Sequence, residues 1–176
     1  MAVLIIQTTD FTGPYTISTD LNTVTVLQRC IDDHEKNYIR KLLGKTTGDL
    51  FIADVDAVTH LPVTAKYLTI FNALQYEDAA GCLKLSRGIK EYLVAAIFYH
   101  FVSEGMTVHG QSGVVSPNAE AATRQSLVNQ LRHAEARFNM ILDSAWAIQE
   151  YCALQVPTDY PDYNGQDIEA VYSSIF

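Results

Sequence analysis

Leu127, Leu131, Ala134, Phe138, Ile141, Ala145, Ile148 and Cys152 recur at alternating steps of four and three, which places all eight on one stripe of a helix. The pattern predicts a helix over residues 116–154, roughly 50 Å long at 1.5 Å per residue. A helix of that length in a small protein organises a bundle and often carries it into an assembly. Upstream, Asn22 or Thr23 can cap a helix running to Leu43. Its buried face is read as Leu27, Ile31, Tyr38 (or Ile39) and Leu42, with Asp32, Asp33, Glu35 and Lys36 outside. Gly44 stands where a left-handed C′ residue is wanted, so the stop is well signalled.

Residues 45–63 read as a connector rich in Thr, Asp and Gly, closed by Pro62. A shorter helix is expected over 64–76 with Tyr67, Leu68, Phe71 and Leu74 in the core, before Asp78-Ala79-Ala80-Gly81 breaks the pattern. A third major helix is expected over 84–103. It carries Leu85, Ile89, Tyr92, Ala96 and Tyr99 at heptad spacing and is apolar nearly all round beyond Tyr92, as a central helix must be. Two β-branched runs flank Gly110 and Gly113, which signals a hairpin near 106–116. Residues 1–20 read as an N-terminal arm or short strands, with Thr12-Gly13-Pro14 as a turn. Residues 155–176, with Pro157, Pro161 and Gly165, read as an irregular tail. The predicted fold is mainly α. It is an antiparallel helical bundle over 21–154 with one long C-terminal helix, a small β-hairpin insertion and an extended C-terminal tail.

At 176 residues and 48% hydrophobic, the chain can bury the core of one domain, with or without a tail. A net charge of −8 argues against a nucleic-acid face, because phosphate contacts need clustered Lys and Arg. All 12 basic residues fall between Arg29 and Arg137, whereas Asp143, Glu150, Asp159, Asp162, Asp167 and Glu169 follow without a counter-charge. That end is either a solvated acidic segment or an arm for a basic partner. Cys30, Cys82 and Cys152 form no CxxC pair, which fits free thiols in a reducing compartment. The first residues lack the basic and long apolar regions of a signal peptide. The run over 92–102 is too short to span a bilayer. A soluble chain made in the cytoplasm is expected.

Candidate chemistry is sparse. Gly44-Lys45-Thr46 resembles the end of a phosphate-binding loop, but Ile39 stands where its first Gly belongs, and the segment follows a helix instead of a strand. Asp32-Asp33-His34-Glu35 reads as a solvated face, since neighbouring helix residues point in different directions. No Glu-x-x-His of the di-metal bundles occurs, nor a Gly-x-Ser-x-Gly elbow. His100 and Glu104, one turn apart, are the pair that an enzyme or metal-binding bundle would use, with His133 as an accessory. A buried His bonded to its neighbour is the plainer reading. His34, His60 and His109 have no recognisable nucleophile partner, and Cys30 and Cys152 sit at apolar helical positions. No catalytic residue, metal or cofactor is assigned, and no enzyme activity is expected.

What remains concerns interaction. The expected hairpin carries Val108, Val114 and Val115, and the tail carries Tyr160, Tyr163, Tyr172 and Phe176. The hairpin is either a cap over the bundle end or a binding loop. The tail aromatics either fold back on the bundle or order against a partner. Ile31, Glu35, Tyr38, Ile39, Leu42, Leu43 and Gly44 form the pattern Ile-x-x-x-Glu-x-x-Tyr-Ile-x-x-Leu-Leu-Gly. With the apolar helix, the hairpin and the long helix that follow, residues 21–151 resemble the small helical head-completion, or head–tail connector, proteins of tailed bacteriophages. The resemblance implies a virion structural protein, an adaptor made in the host cytoplasm. It self-associates into a ring, often twelvefold, between the portal protein and an adjacent tail or ring protein. It also implies that residues 155–176 dock on the portal and that the hairpin meets a neighbour. From the charge and the short apolar run, no membrane and no sequence-specific nucleic acid are expected among its partners. A cytosolic protein-interaction bundle is the further alternative.

Overall fold

A computed structural model describes residues 5–17, 21–107, 120–156, 158–166 and 168–169, with backbone alone at 22, 105–107 and 120–128. Among these are five helices, α1 (Leu21–Leu43), α2 (Lys45–Ala53), α3 (Ala65–Phe71), α4 (Gly88–Thr107) and α5 (Glu120–Leu154). Strands β1 (Leu74–Glu77) and β2 (Leu83–Ser86) pair antiparallel, with Leu74 opposite Ser86 and Glu77 opposite Leu83. The chain is therefore a mainly helical bundle with a small sheet and a long C-terminal helix.

α4 is the central helix, as its all-round apolarity requires: Ile89, Tyr92, Leu93, Val94, Ala95, Ala96 and Ile97 are all buried. α1 runs antiparallel to it, for Tyr38 meets Tyr92 and His100 while His34 meets Glu104. α5 is antiparallel to α4 as well, pairing Phe138 with Tyr99 at one level and Ser144 with Ser86 near the start of α4. The seam of α5 faces inward: Leu131, Ala134, Phe138, Ile141, Ala145, Ile148 and Cys152 are buried. Leu127 lies where only backbone is described.

Three local expectations are corrected. The connector after Gly44 begins with α2. Gly44, at φ +80, both ends α1 and stands at the N-cap of α2. Gly48 then lets α2 sit close on α1, since a Cβ there would lie 3.1 Å from the Arg40 Cα. The helix expected over 64–76 stops at Phe71, and Leu74 and Tyr76 belong to β1. Asp78-Ala79-Ala80-Gly81 is the turn of a hairpin, in which the Asp78 carboxylate accepts the N–H groups of Ala80 and Cys82 at 2.9 and 2.8 Å. The third major helix consequently starts at Gly88, and Leu85, expected in its core, is exposed on β2. Of the hairpin expected near 106–116, Met106 and Thr107 belong to α4, and the remainder, with Val108, Val114 and Val115, lies outside the described residues.

The N-terminal segment forms two 3-10 turns, Thr8–Asp10 and Gly13–Tyr15, and buries Ile5, Ile6, Phe11 and Tyr15 against the bundle. The tail also packs inward. The Gln166 N–H donates to Lys41 O at 2.9 Å, and the Gln149 amide donates to Leu42 O at 3.2 Å. Two carbonyls orphaned at the end of α1 are satisfied in this way.

Candidate functional site

His34 on α1 and His100 and Glu104 on α4 converge at one edge of the α1–α4 seam. His34 Nε2 donates to Glu104 Oε1 at 3.0 Å. The two imidazoles stack almost parallel, 3.9 Å apart at 10°. Spacing of i, i+4 puts His100 and Glu104 on one face of α4, and the antiparallel pairing brings His34 opposite them. One potential ligand atom from each residue lies within 4.8 Å of the other two.

Neighbours orient this cluster. The Tyr38 hydroxyl and His100 Nε2 share a hydrogen bond of 2.7 Å. Glu104 Oε2 faces the Arg29 guanidinium at 3.4 Å and accepts from the Cys30 thiol at 3.5 Å. Burial first, then the electrostatic interaction with the neighbouring His34 ring, pushes His100 down to about 4, so its ring is neutral at pH 7. The hydrogen bond from His34, with help from Cys30 and Arg29, holds the Glu104 carboxyl below its usual range. Burial and the adjacent Glu104 push the Cys30 thiol up to about 12, which makes it an inert donor and no nucleophile. Beside the cluster opens a cavity of about 480 Å³, lined by His34, Asn37, Tyr38, Arg40, Lys41, Lys45, His100 and Gln166. Arg40 is engaged by Asp49 at 2.7 Å.

Reading from sequence paired His100 with Glu104 but left His34 on a solvated face. His133 does not join them. It lies exposed on α5 and lines a different cavity, with Phe98, Phe101 and Arg137. Glu35, also read as solvated, is 1% exposed. Its Oε2 accepts the Ile5 and Ile6 N–H groups at 2.9 and 2.7 Å. A signal for both existed. His34 follows buried Cys30 by four, and Glu35 lies four residues from each of the buried Ile31 and Ile39.

The interaction candidates divide. Tyr160 is buried in its own chain, its hydroxyl donating to Lys66 O at 2.6 Å. Tyr163 is half-buried beside Gly165. Tyr172 and Phe176, like Val108, Val114 and Val115, lie outside the described residues. Two outward features escaped the sequence reading. The solvent face of α5 presents Ala136, Met140, Trp146 and Leu154, with Met140 76% and Trp146 46% exposed. The outer face of β2 presents Leu83 and Leu85. Comparison of the chain with protein families, with characterised proteins and with solved structures finds no match.

Proposed function

We propose that this chain is a virion structural protein, the subunit of a ring that connects the portal of a tailed bacteriophage to its tail. The observation that carries this reading is the solvent face of α5. An ordinary surface helix closes that face with charge. Here Ala136, Met140, Trp146 and Leu154 occupy it together with Arg132, Asp143 and Glu150. The Trp146 indole N–H donates to Ile168 O of the tail at 3.2 Å, so Met140 is its most open apolar group. Large exposed apolar groups with sparse charge are what a lateral subunit contact uses. A closed ring requires a heterologous contact, so α5 of one subunit would meet a different face of the next, and the exposed leucines of β2 offer such a surface. The acidic C-terminal segment, with Asp162 and Glu169 beyond the last basic residue, fits docking on a basic portal surface.

The test is mass photometry of the pure chain over rising concentration, joined to negative-stain imaging with candidate portal particles. Closed rings, or a collar on the portal that is lost with Met140→Glu while the circular dichroism spectrum is kept, support the proposal. A monomer at every concentration that decorates no portal overturns it.

A further inference from the structure

We propose that His34, His100 and Glu104 bind one divalent transition-metal ion, bridging α1 and α4. Two imidazoles and one carboxylate suit borderline metals such as zinc, cobalt and nickel. Magnesium and calcium prefer oxygen donors throughout. The ligand atoms already lie within 4.8 Å of one another. Tetrahedral coordination at 2.0–2.1 Å places ligand atoms about 3.3 Å apart, so the site closes by movements of up to roughly 1.5 Å, with one imidazole turning out of the parallel stack so that both rings point at the ion.

Three features separate this cluster from a chance meeting of surface groups. The ligands come from two rigid helices, which hold geometry better than loops. The Tyr38 hydroxyl steadies the His100 ring at Nε2, and Arg29 and Cys30 hold Glu104 Oε2, leaving Oε1 turned toward His34. Partners of this kind orient metal ligands and tune their basicity. The cluster is also half-open: the His34 and Glu104 side chains are 26% and 30% exposed, and His34 and His100 line the adjoining cavity. An ion can enter, and water can complete its coordination. In place of a lone pair of stacked rings, the ion would tie the middle of α1 to the latter half of α4, a structural brace that adds no reaction. It is independent of ring formation, since none of its three residues belongs to the solvent face of α5.

The experiment is titration of the chelator-stripped full chain, carrying Cys82→Ser to remove the exposed thiol, with zinc by calorimetry and with cobalt by visible absorption. The expected result is one ion per chain and a rise in melting temperature that grows with free metal. His34→Gln and Glu104→Gln should each weaken binding at least tenfold while melting normally without metal, and His60→Gln should bind as the parent does. Absence of saturable binding, or binding that survives both His34→Gln and Glu104→Gln, overturns the proposal.

Discussion

Glu35 fastens the N-terminal segment to the bundle through a single oxygen. Oε2 receives two backbone N–H groups, while Oε1 is buried with no hydrogen-bond partner among the described residues. Burial raises the carboxyl from 4.5 to about 7, against the pull of those two donors. The folded chain therefore holds a proton that the unfolded chain has released. This group's contribution to stability is full below pH 4.5 and is lost as pH rises through about 7. The denaturant midpoint should accordingly fall from about pH 5 to about pH 8, and Glu35→Gln should flatten that slope. Glu35→Ala should cost more at any pH. It strands the Ile5 and Ile6 N–H groups at about 1–3 kcal/mol each, which urea denaturation would measure. The charged run Asp32-Asp33-His34-Glu35-Lys36 hid this role, because a carboxylate in such company is usually solvated. What buries it is a segment some thirty residues upstream in the chain.

Among the elements, α5 was the most legible and α2 the least. The α5 seam reads directly from 3.5-residue spacing, and it packs Phe138 into a nest of Tyr38, Tyr92 and Tyr99 rings. Phe138→Ala should cost about 3–5 kcal/mol by chemical denaturation, the range for losing a buried aromatic. α2 carries Thr46, Thr47 and Gly48, poor helix formers whose value lies in fitting against α1. The β1–β2 hairpin was hidden for a related reason. Tyr67, Phe71 and Leu74 fit a helical period, yet Leu74 and Tyr76 alternate with Gln75 and Glu77, and the 83–86 segment supplies a partner strand. Gly44 joins three elements. It sits at a positive φ, and a Cβ there would strike the Asn164 backbone. Gly44→Ala should strain the corner and lift the tail, so hydrogen exchange at the Gln166 amide should quicken many-fold while that of central α4 amides changes little.

At the scale of the whole molecule, the tail decides how the connector proposal is tested. Removal of residues 155–176 would take away Tyr160 and Ile168, both buried, and would uncap α1. That truncation should lower the melting temperature as well as any binding. Truncation after residue 169 keeps those contacts, and it should leave the melting temperature within a few degrees while abolishing portal attachment if the distal arm docks. By itself the sequence determined the mainly helical class, the inward seam of α5, the central place of α4 and the stop at Gly44. Each of these rests on local periodicity or on the φ preference of one residue, which short stretches of chain express on their own. Beyond the bare i, i+4 spacing that put Glu35 and His34 near the buried stripe of α1, tertiary structure decided that Glu35 is buried, that His34 stands against His100 and Glu104, that Tyr160 turns inward and that Met140 and Trp146 face outward. Those outcomes depend on which helix faces which and at what height. A stretch of sequence states its period, but only packing against distant segments sets the rotation and the register.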